Sequence, residues 1–289
     1  MRIMLVVVVL LVSTLLAPPL IPGVCLVPVR SEKPVYEVYA IQYGVIPDFS
    51  VSSLIAGADR SRKTDIAMMI WLLKGQGGRN ILVDSGFYRE RYLKQFKLRD
   101  YIRPSDALGK LGLAADQITD VIVTHMHWDH AGGIDLFPKA RVWIQKDEYG
   151  YYTGEAWQSR STHGGIDADD VQALVKRNIE GKVSFVNGDD QEAIPGVRLY
   201  TGGRHTYASQ FVAVSTRAGT VVIASDNCYL YENLDKNAPI AQTLDAESNL
   251  KAQDRMRTLA SDVRLIVPGH DAAVFARFNK PGNGVAKIE

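Results

Sequence analysis

Residues 121–133 read Val-Ile-Val-Thr-His-Met-His-Trp-Asp-His-Ala-Gly-Gly. The stretch opens with an apolar, β-branched run, which is typical of a short buried strand. Three of the six histidines in the chain and one aspartate follow within residues 125–130. A lone histidine is usually an ordinary surface or core residue, but core packing does not explain three beside a carboxylate. The stretch therefore predicts a metal site at the end of a strand.

The spacing of these side chains indicates how they would bind metal. Extended backbone places His125 and His127 on the same side, because the side-chain period of a strand is two, so both imidazoles can bind one ion. Asp129 and His130 follow where the chain turns and can bind a second ion. Imidazole nitrogen and carboxylate oxygen favour zinc, with iron, manganese or cobalt as alternatives. We predict two divalent ions.

Outward from this stretch, strand-like and helix-like segments alternate. Residues 67–73 and 80–84 predict a hairpin that turns at 74–78 and is buried on both faces. Further predicted strands span 35–43, 121–124, 141–145, 197–200, 211–215, 220–224 and 264–267. Predicted helices begin at Pro104 and span 169–179 and 244–259. No long linker and no internal repeat interrupts this pattern, which indicates a single α/β domain.

The charge balance excludes one class of partner. The chain has 33 lysines and arginines against 32 acidic residues, for a net charge of +1. No block of five or six like charges occurs. A nucleic-acid surface requires a concentrated basic stripe, so we predict no nucleic-acid binding.

The first residues are typical of an export signal. Arg2 precedes an apolar run over residues 3–17, and three prolines follow at positions 18, 19 and 22. We predict a signal peptide over residues 1–25 and a single mature domain over 26–289, exported to the periplasm or secreted. A membrane anchor or a lipid on Cys25 is the alternative, and we expect no other contact with a membrane. Besides Cys25 the chain has only Cys228, so no intramolecular disulfide forms if Cys25 is removed or lipidated.

The motif at His125, His127, Asp129 and His130 resembles the His-x-His-x-Asp-His signature of the metallo-β-lactamase-fold hydrolases. The resemblance covers nearly all of residues 35–275. It implies an αβ/βα sandwich in which strand-end loops supply further ligands. The downstream positions that match the family each follow a predicted strand, and they are His205, Asp226 and His270.

The resemblance also implies how the ligands divide between two ions. One ion would have His125, His127, His205 and Asp226, and the other would have Asp129, His130, His270 and Asp226. Asp84, at a strand end typical of the family, would hydrogen-bond to a ligand histidine and orient it. Histidine at position 127 favours a zinc-type hydrolytic site over a diiron redox site, which has a carboxylate there.

Within this family the chain looks most like the N-acyl-homoserine lactonases. Those enzymes carry a tyrosine three residues after the bridging aspartate and then a Glu-Asn pair, matched here by Tyr229, Glu232 and Asn233. Trp128 matches their aromatic residue before the metal-binding aspartate. Two features depart from the family: Gly203-Arg204 replaces the usual Pro-Gly before the third ligand histidine, and the segment between His130 and His205 is expanded.

The resemblance implies opening of a lactone or ester substrate by a metal-bridging hydroxide. Tyr229 would donate to the carbonyl oxygen, and Asp129 would return a proton to the leaving alkoxide. Trp128 would form a substrate wall. Tyrosines 149, 151 and 152 could extend that wall, although ordinary packing is the favoured interpretation for them, and His163 is interpreted as a surface or lid residue.

Two other functions remain open from the sequence. The same metal site could serve another carbonyl hydrolase, such as a β-lactamase or a thioesterase. Alternatively, the chain could be a metal-stabilised binding protein without activity. The complete set of candidate ligands argues against the second alternative.

Overall fold

Thirteen strands make up the sheets of the described part of the chain. A computed structural model of the protein describes residues 34–159 and 163–289, so the predicted signal peptide lies outside the described residues. The strands are β1 (Glu37–Ser50), β2 (Lys63–Lys74), β3 (Asn80–Val83), β4 (Asp120–Ile122), β5 (Arg141–Gln145), β6 (Val183–Val186), β7 (Gln191–Ile194), β8 (Val197–Thr201), β9 (Gln210–Thr216), β10 (Gly219–Ser225), β11 (Ile266–Pro268), β12 (Asn279–Gly282) and β13 (Val285–Ile288).

Helices connect these strands, and most are short. They are α1 (Glu90–Gln95), α2 (Pro104–Ala107), α3 (Trp128–Ala131), α4 (Lys146–Thr153), α5 (Ala168–Ile179), α6 (Tyr231–Asp235), α7 (Ala246–Leu259) and α8 (Val274–Arg277). Single 3₁₀ turns occur at Val51–Ser53, Gln76–Gly78, Leu108–Leu111, Ala115–Gln117, Ile134–Leu136, Glu155–Gln158 and Val263–Leu265. None of the helices in the described ranges has the length and apolar composition needed to span a membrane.

The described strands form two sheets. The larger has the order β12-β13-β1-β2-β3-β4-β5-β6, and the smaller has the order β11-β10-β9-β8-β7. Strands β3 to β6 run parallel, as do β10 and β11. Because carboxyl ends of parallel strands meet at one edge, the loops after β3 and β4 lie together, and so do those after β10 and β11.

Three apolar cores separate the layers. Between the sheets, residues such as Trp71 and Ile122 pack with Val212 and Ile223. The outer face of the larger sheet is covered by a second core that includes Leu174 of α5. The outer face of the smaller sheet packs against α7 through Ala252 and Met256. This helix–sheet–sheet–helix order is the αβ/βα sandwich that the resemblance implied, and all described residues belong to one compact unit.

Local patterns predicted most strands closely. The hairpin of β2 and β3 forms with Trp71 opposite Val83 and Leu73 opposite Ile81, and β5 has the predicted bounds. Strand β1 runs seven residues past its predicted end, through a bulge between Ile46 and Phe49. The last predicted strand is shorter than expected, because residues 263–265 form a 3₁₀ turn before β11.

Candidate metal centre

Four loops at one edge of the sandwich bring the predicted ligands together. His125 to His130 follow β4, and His205 lies between β8 and β9. Asp226 directly follows β10, and His270 follows β11 two residues after its end. Both sheets therefore contribute to the site. The sequence separation of up to 145 residues between its members explains why only the first four were recognisable as a local cluster.

His125, His127 and His205 form a three-histidine cluster. Nδ1 of His127 lies 3.1 Å from Nε2 of His125 and 2.8 Å from Nε2 of His205. Three ring nitrogens thus converge within the reach of one ion. His127 presents the opposite ring nitrogen from the other two, and its ring lies against Gly165, where an added Cβ would sit 3.2 Å from His127 Cδ2.

Asp129, His130 and His270 form a second group, the Asp–His–His cluster. Oδ2 of Asp129 lies 3.6 Å from Nε2 of His130 and 3.6 Å from Nε2 of His270. Asp129 and His130 occupy the one-turn helix α3, where the chain turns after the strand.

Asp226 lies between the two clusters and presents one oxygen to each. Its Oδ2 is 3.7 Å from Nε2 of His125 and 3.4 Å from Nε2 of His205. Its Oδ1 is 3.2 Å from Nε2 of His130 and 3.1 Å from Nε2 of His270. Gly269 permits this approach, because a Cβ there would lie 2.6 Å from Oδ1. A carboxylate in this position can bridge two cations.

Hydrogen bonds from the surrounding protein fix four of the imidazole rings. Nδ1 of His130 pairs with Oδ2 of Asp84 at 2.8 Å, the orienting contact proposed for Asp84. The other Nδ1 atoms pair with the hydroxyl of Thr124 (His125, 3.0 Å), the carbonyl of Gln242 (His205, 2.7 Å) and the carbonyl of Ala67 (His270, 3.1 Å). Each of these rings therefore turns its Nε2 toward the centre, as metal-ligating histidines do.

Burial and neighbouring charges lower the pKa values of His125 and His127 but raise those of His130 and His270. Burial and the adjacent histidines lower the pKa of His125 and of His127 well below the usual value, which favours the neutral, metal-binding form. Burial alone would also lower the pKa values of His130 and His270. The negative charges of Asp226 and Asp129 outweigh this effect and raise both pKa values. The carboxylates thus favour positive charge at the second cluster, which a divalent cation can supply.

Two buried polar atoms of the site lack a hydrogen-bond partner, which indicates that a cation fits there. Nε2 of His130 and Oδ1 of Asp226 make no hydrogen bond of acceptable geometry, although they lie 3.2 Å apart. Buried polar atoms are rarely left unpaired. A cation held by the Asp–His–His cluster would take up both atoms, and the mixed imidazole and carboxylate donors suit zinc.

A cavity of about 130 Å³ opens over the clusters. His127, Asp129, Asp226, His270 and Tyr229 lie on its polar side. Trp128 lines it as predicted, stacked on Tyr92 and Phe96 at ring-centroid distances of 4.2 and 4.9 Å. The remaining apolar lining, which the sequence did not indicate, is Ile46, Phe49, Leu54, Ile66 and Phe96.

Other aromatic residues considered for the wall lie elsewhere. Tyr149 contacts Phe185, Tyr151 stacks on Tyr207, and Tyr152 is buried in the outer core of the larger sheet. The packing interpretation is therefore correct for these tyrosines. His163 stacks on Trp157 at 4.1 Å and does not line the cavity, whereas the following Gly164 and Gly165 do.

Comparison with known proteins identifies relatives of the chain. The model of the metallo-beta-lactamase superfamily matches residues 68–270. An N-acyl homoserine lactonase of Bacillus cereus is 30% identical over 178 residues, covering 61% of this chain and 64% of that protein. The chain thus spans somewhat less than two thirds of that relative's length. The N-acyl homoserine lactonase AiiB of Agrobacterium fabrum is 27% identical over 242 residues, covering 78% and 86%.

Solved structures share the fold. A quorum-quenching N-acyl homoserine lactone lactonase superposes with a TM-score of 0.67 at 23% identity, covering 82% of this chain and 93% of that one. AidC, described as a dizinc quorum-quenching lactonase, superposes with a TM-score of 0.63 at 17% identity, covering 83% and 89%. At these identities the likeness establishes the fold.

Proposed function

Because the chain belongs to the metallo-beta-lactamase superfamily, we propose that it is a metal-dependent hydrolase that opens the ring of an N-acyl-homoserine lactone or a related lactone. The observation that carries the proposal is Asp226, which presents one oxygen to each of two ligand clusters beneath an apolar cavity. Relatives named N-acyl homoserine lactonases support the substrate class.

The two clusters would hold two divalent ions, with Asp226 shared between them. Bound ions of this kind supply Lewis acidity, which lowers the pKa of a water to about 7 and polarises a carbonyl. The protein contributes the placement of the ions, the orientation of the substrate and the handling of protons.

Tyr229 is positioned to act as a hydrogen-bond donor to the substrate carbonyl. Its ring lines the cavity, and its hydroxyl lies 3.5 Å from Nδ1 of His205. Burial, followed by the charges of Asp226 and Asp129, raises the pKa of Tyr229 well above 10. The hydroxyl therefore keeps its proton at neutral pH and can stabilise negative charge on the carbonyl oxygen as the ester is attacked.

Asp129 is the candidate for proton transfer. Its carboxyl group lines the cavity beside the Asp–His–His cluster. Burial raises the pKa of Asp129, although His130 and His270 oppose this rise. A carboxyl group so placed can accept the proton of the attacking water and deliver it to the ring oxygen that leaves as an alcohol.

The apolar side of the cavity would bind the part of the substrate that does not react. Ile46, Phe49 and Leu54 come from β1 and its following turn, while Phe96 and Trp128, which also line the cavity, stack on each other. Each methylene of an acyl chain buried there contributes about 0.8 kcal/mol. A hydrophobic acyl group therefore suits this wall better than a charged one.

A substrate panel tests the proposal. The purified chain is assayed with N-acyl-homoserine lactones, β-lactams and thioesters, before and after treatment with a chelator, with Asp226→Ala as the background control. We expect lactones to be opened fastest, the activity to disappear with the chelator, and zinc to restore it. Hydrolysis of a matched β-lactam at an equal or higher rate would exclude the lactonase assignment.

We also propose that the protein is exported by its first 25 residues. The support is the apolar run after Arg2 and the prolines that end it. Cell fractionation and N-terminal sequencing of the purified protein test this. A cytoplasmic protein that retains Met1 would contradict it, and a lipid on Cys25 would identify the anchored alternative.

A further inference from the structure

Glu148 is a buried acidic residue outside the predicted site. It lies in the first turn of α4 and has no solvent exposure. A buried carboxylate is costly unless hydrogen bonds compensate for the lost water. Burial accordingly raises the pKa of Glu148, and hydrogen bonds from Thr206, Ala208 and Met126 oppose the rise.

These three hydrogen bonds lead to the loops that carry the three-histidine cluster. Oε1 accepts from the backbone N–H of Met126 at 2.9 Å and from the hydroxyl of Thr206 at 2.7 Å. Oε2 accepts from the backbone N–H of Ala208 at 2.7 Å. Met126 stands between His125 and His127, and Thr206 directly follows His205. One carboxylate therefore joins the two segments whose histidines must converge.

The Asp–His–His cluster is held by different groups. His130 is oriented by Asp84, and His270 by the carbonyl of Ala67. Among the described residues Glu148 makes no hydrogen bond to Asp129, His130 or His270, and its one bond to the loop after β4 goes to Met126, between the two histidines of the other cluster. Glu148 therefore anchors only the three-histidine cluster, whereas Asp84 reaches both clusters, because the Thr124 hydroxyl that donates to it also pairs with His125.

We propose that Glu148 is a positioning residue that sets the metal affinity of the three-histidine cluster and leaves that of the Asp–His–His cluster unchanged. The proposal rests on the metal centre of the proposed function. Its physical basis is that three donors point at two carboxylate oxygens. An amide would offer a single acceptor oxygen and place an N–H₂ group against one donor, so one loop would lose its anchor.

Titration of the metal-free chain with Zn²⁺ tests this by calorimetry. The wild type should bind two ions. Glu148→Gln should bind one of them about 10–100-fold more weakly, the usual effect of losing a group that orients metal ligands. Asp120→Asn is the matched control, because Asp120 is also a buried carboxylate but lies at the opposite end of β4, where it accepts from Trp143. It should bind both ions as the wild type does.

Combining Glu148→Gln with a variant that lacks one metal ligand identifies which cluster is affected. In His270→Ala, where the remaining ion uses the three-histidine cluster, Glu148→Gln should still weaken binding about 10–100-fold. In His205→Ala, which disables that cluster, it should change the remaining affinity by no more than about twofold, because Glu148 makes no hydrogen bond to Asp129, His130, His270 or Asp226. Equal weakening in both backgrounds would overturn the proposal.

Two further variants separate positioning from loss of the fold. Glu148→Asp keeps the charge and both oxygens, and should recover part of the affinity. Thr206→Val removes only the hydroxyl donor, and should weaken the same ion to a smaller extent while the metal-free chain unfolds at the wild-type temperature. If the wild type binds no zinc, the proposed metal centre fails together with this inference. If the wild type binds two ions and Glu148→Gln binds both unchanged, only the inference fails.

Discussion

Several residues beside the metal centre adopt the left-handed backbone region that side chains other than glycine rarely enter. Asp84, Ser225 and Arg204 have φ angles of 61°, 47° and 55°. Such conformations cost about 1–3 kcal/mol and persist when surrounding contacts enforce them. Asp84 and Ser225 are held by their hydrogen bond to each other and by bonds to Thr124. Both strained residues lie where β3 and β10 end and deliver the carboxylates of Asp84 and Asp226 to the site.

Arg204 stands where the family pattern has a glycine, and it keeps a backbone conformation that suits glycine. The family usually has Pro-Gly before the third ligand histidine, and the left-handed conformation at position 204 is one that glycine adopts without strain. Here the carbonyl of Arg204 accepts from the backbone N–H of Leu244 and the hydroxyl of Thr243, which hold the residue in place.

This conformation leads to a prediction for a pair of variants. Arg204→Gly should change the free energy of unfolding by less than about 1 kcal/mol, because the relieved strain and the greater freedom of the unfolded chain offset each other. Arg204→Val should destabilise by about 1–3 kcal/mol, because a β-branched residue is strongly disfavoured at positive φ. Chemical unfolding measures both. Equal stability of the valine variant and the wild type would refute this account.

Tyr229→Phe should retain both metals and lower the turnover of lactones by roughly 10²-fold, because one donor to the carbonyl oxygen is lost. The ring keeps its packing in the cavity, so KM should change little. Metal analysis and steady-state kinetics check the two parts separately. An unchanged kcat would remove Tyr229 from the proposed mechanism.

Asp226→Ala should reduce the bound zinc from two ions to one and abolish nearly all lactone-opening activity. The side chain presents one oxygen to each cluster, and two cations without a bridging anion repel each other. Metal analysis of the dialysed protein provides the measurement. Two ions retained per chain would contradict the bridging role.

At the level of elements, the sequence predicted the strands whose apolar residues follow a local periodic pattern. The strands that carry the site, β4, β8, β10 and β11, were found because apolar and β-branched runs ended directly before a polar cluster. Helix α1 was missed because residues 88–97 are densely charged and contain only Leu93 and Phe96 as apolar positions beside two tyrosines. Its position depends on contacts distant in sequence, such as Arg89 with Asp170 and Tyr92 with Asp167.

The cavity was missed for the same reason. Its apolar lining comes from β1, the turn after it, β2 and the end of α1, and no local pattern distinguishes Phe49 or Phe96 from ordinary core residues. Glu148 likewise belongs to no motif, and only its burial and three hydrogen bonds identify it.

The missed wall supplies a prediction about specificity. Phe96→Ala should raise KM by about tenfold for lactones with long acyl chains. The variant would lose a hydrophobic contact equivalent to burying roughly two methylene groups of the acyl chain. Lactones with short chains should be affected much less. Phe185→Ala is the matched control, because Phe185 is a partly exposed residue of β6 that does not line the cavity. Similar effects on long and short chains would show that Phe96 acts on the fold rather than on the acyl group.

At the level of the whole molecule, the resemblance rather than the periodicity gave the arrangement of the sheets. Local patterns indicate strands but not which strands pair, and β6, β7, β12 and β13 were not predicted at all. The long-range pairing of β1 with β13 brings residue 38 opposite residue 288. Such contacts are fixed by burial of the core between the sheets, in which residues from both ends of the described range, such as Tyr36 and Ile288, take part.

The position of the metal centre across both sheets leads to a last prediction. His125, His127, Asp129 and His130 follow β4 of the larger sheet, whereas His205, Asp226 and His270 follow strands β8, β10 and β11 of the smaller one. Bound ions would therefore join the sheets at one edge. An ion present at a hundred times its Kd stabilises the folded state by about 2.7 kcal/mol, or roughly 5–10 °C for a domain of this size.

Chelation should accordingly lower Tm by at least that amount, and Asp226→Ala should show a smaller difference between its metal-loaded and metal-free forms. The loss should also be local, because the apolar core between the sheets does not contain the ligands. Hydrogen exchange should increase after chelation in residues 124–133, 202–209, 225–230 and 268–271, and stay unchanged in β2 and β9. Faster exchange throughout both sheets would mean that the ions support the whole fold rather than one edge of it.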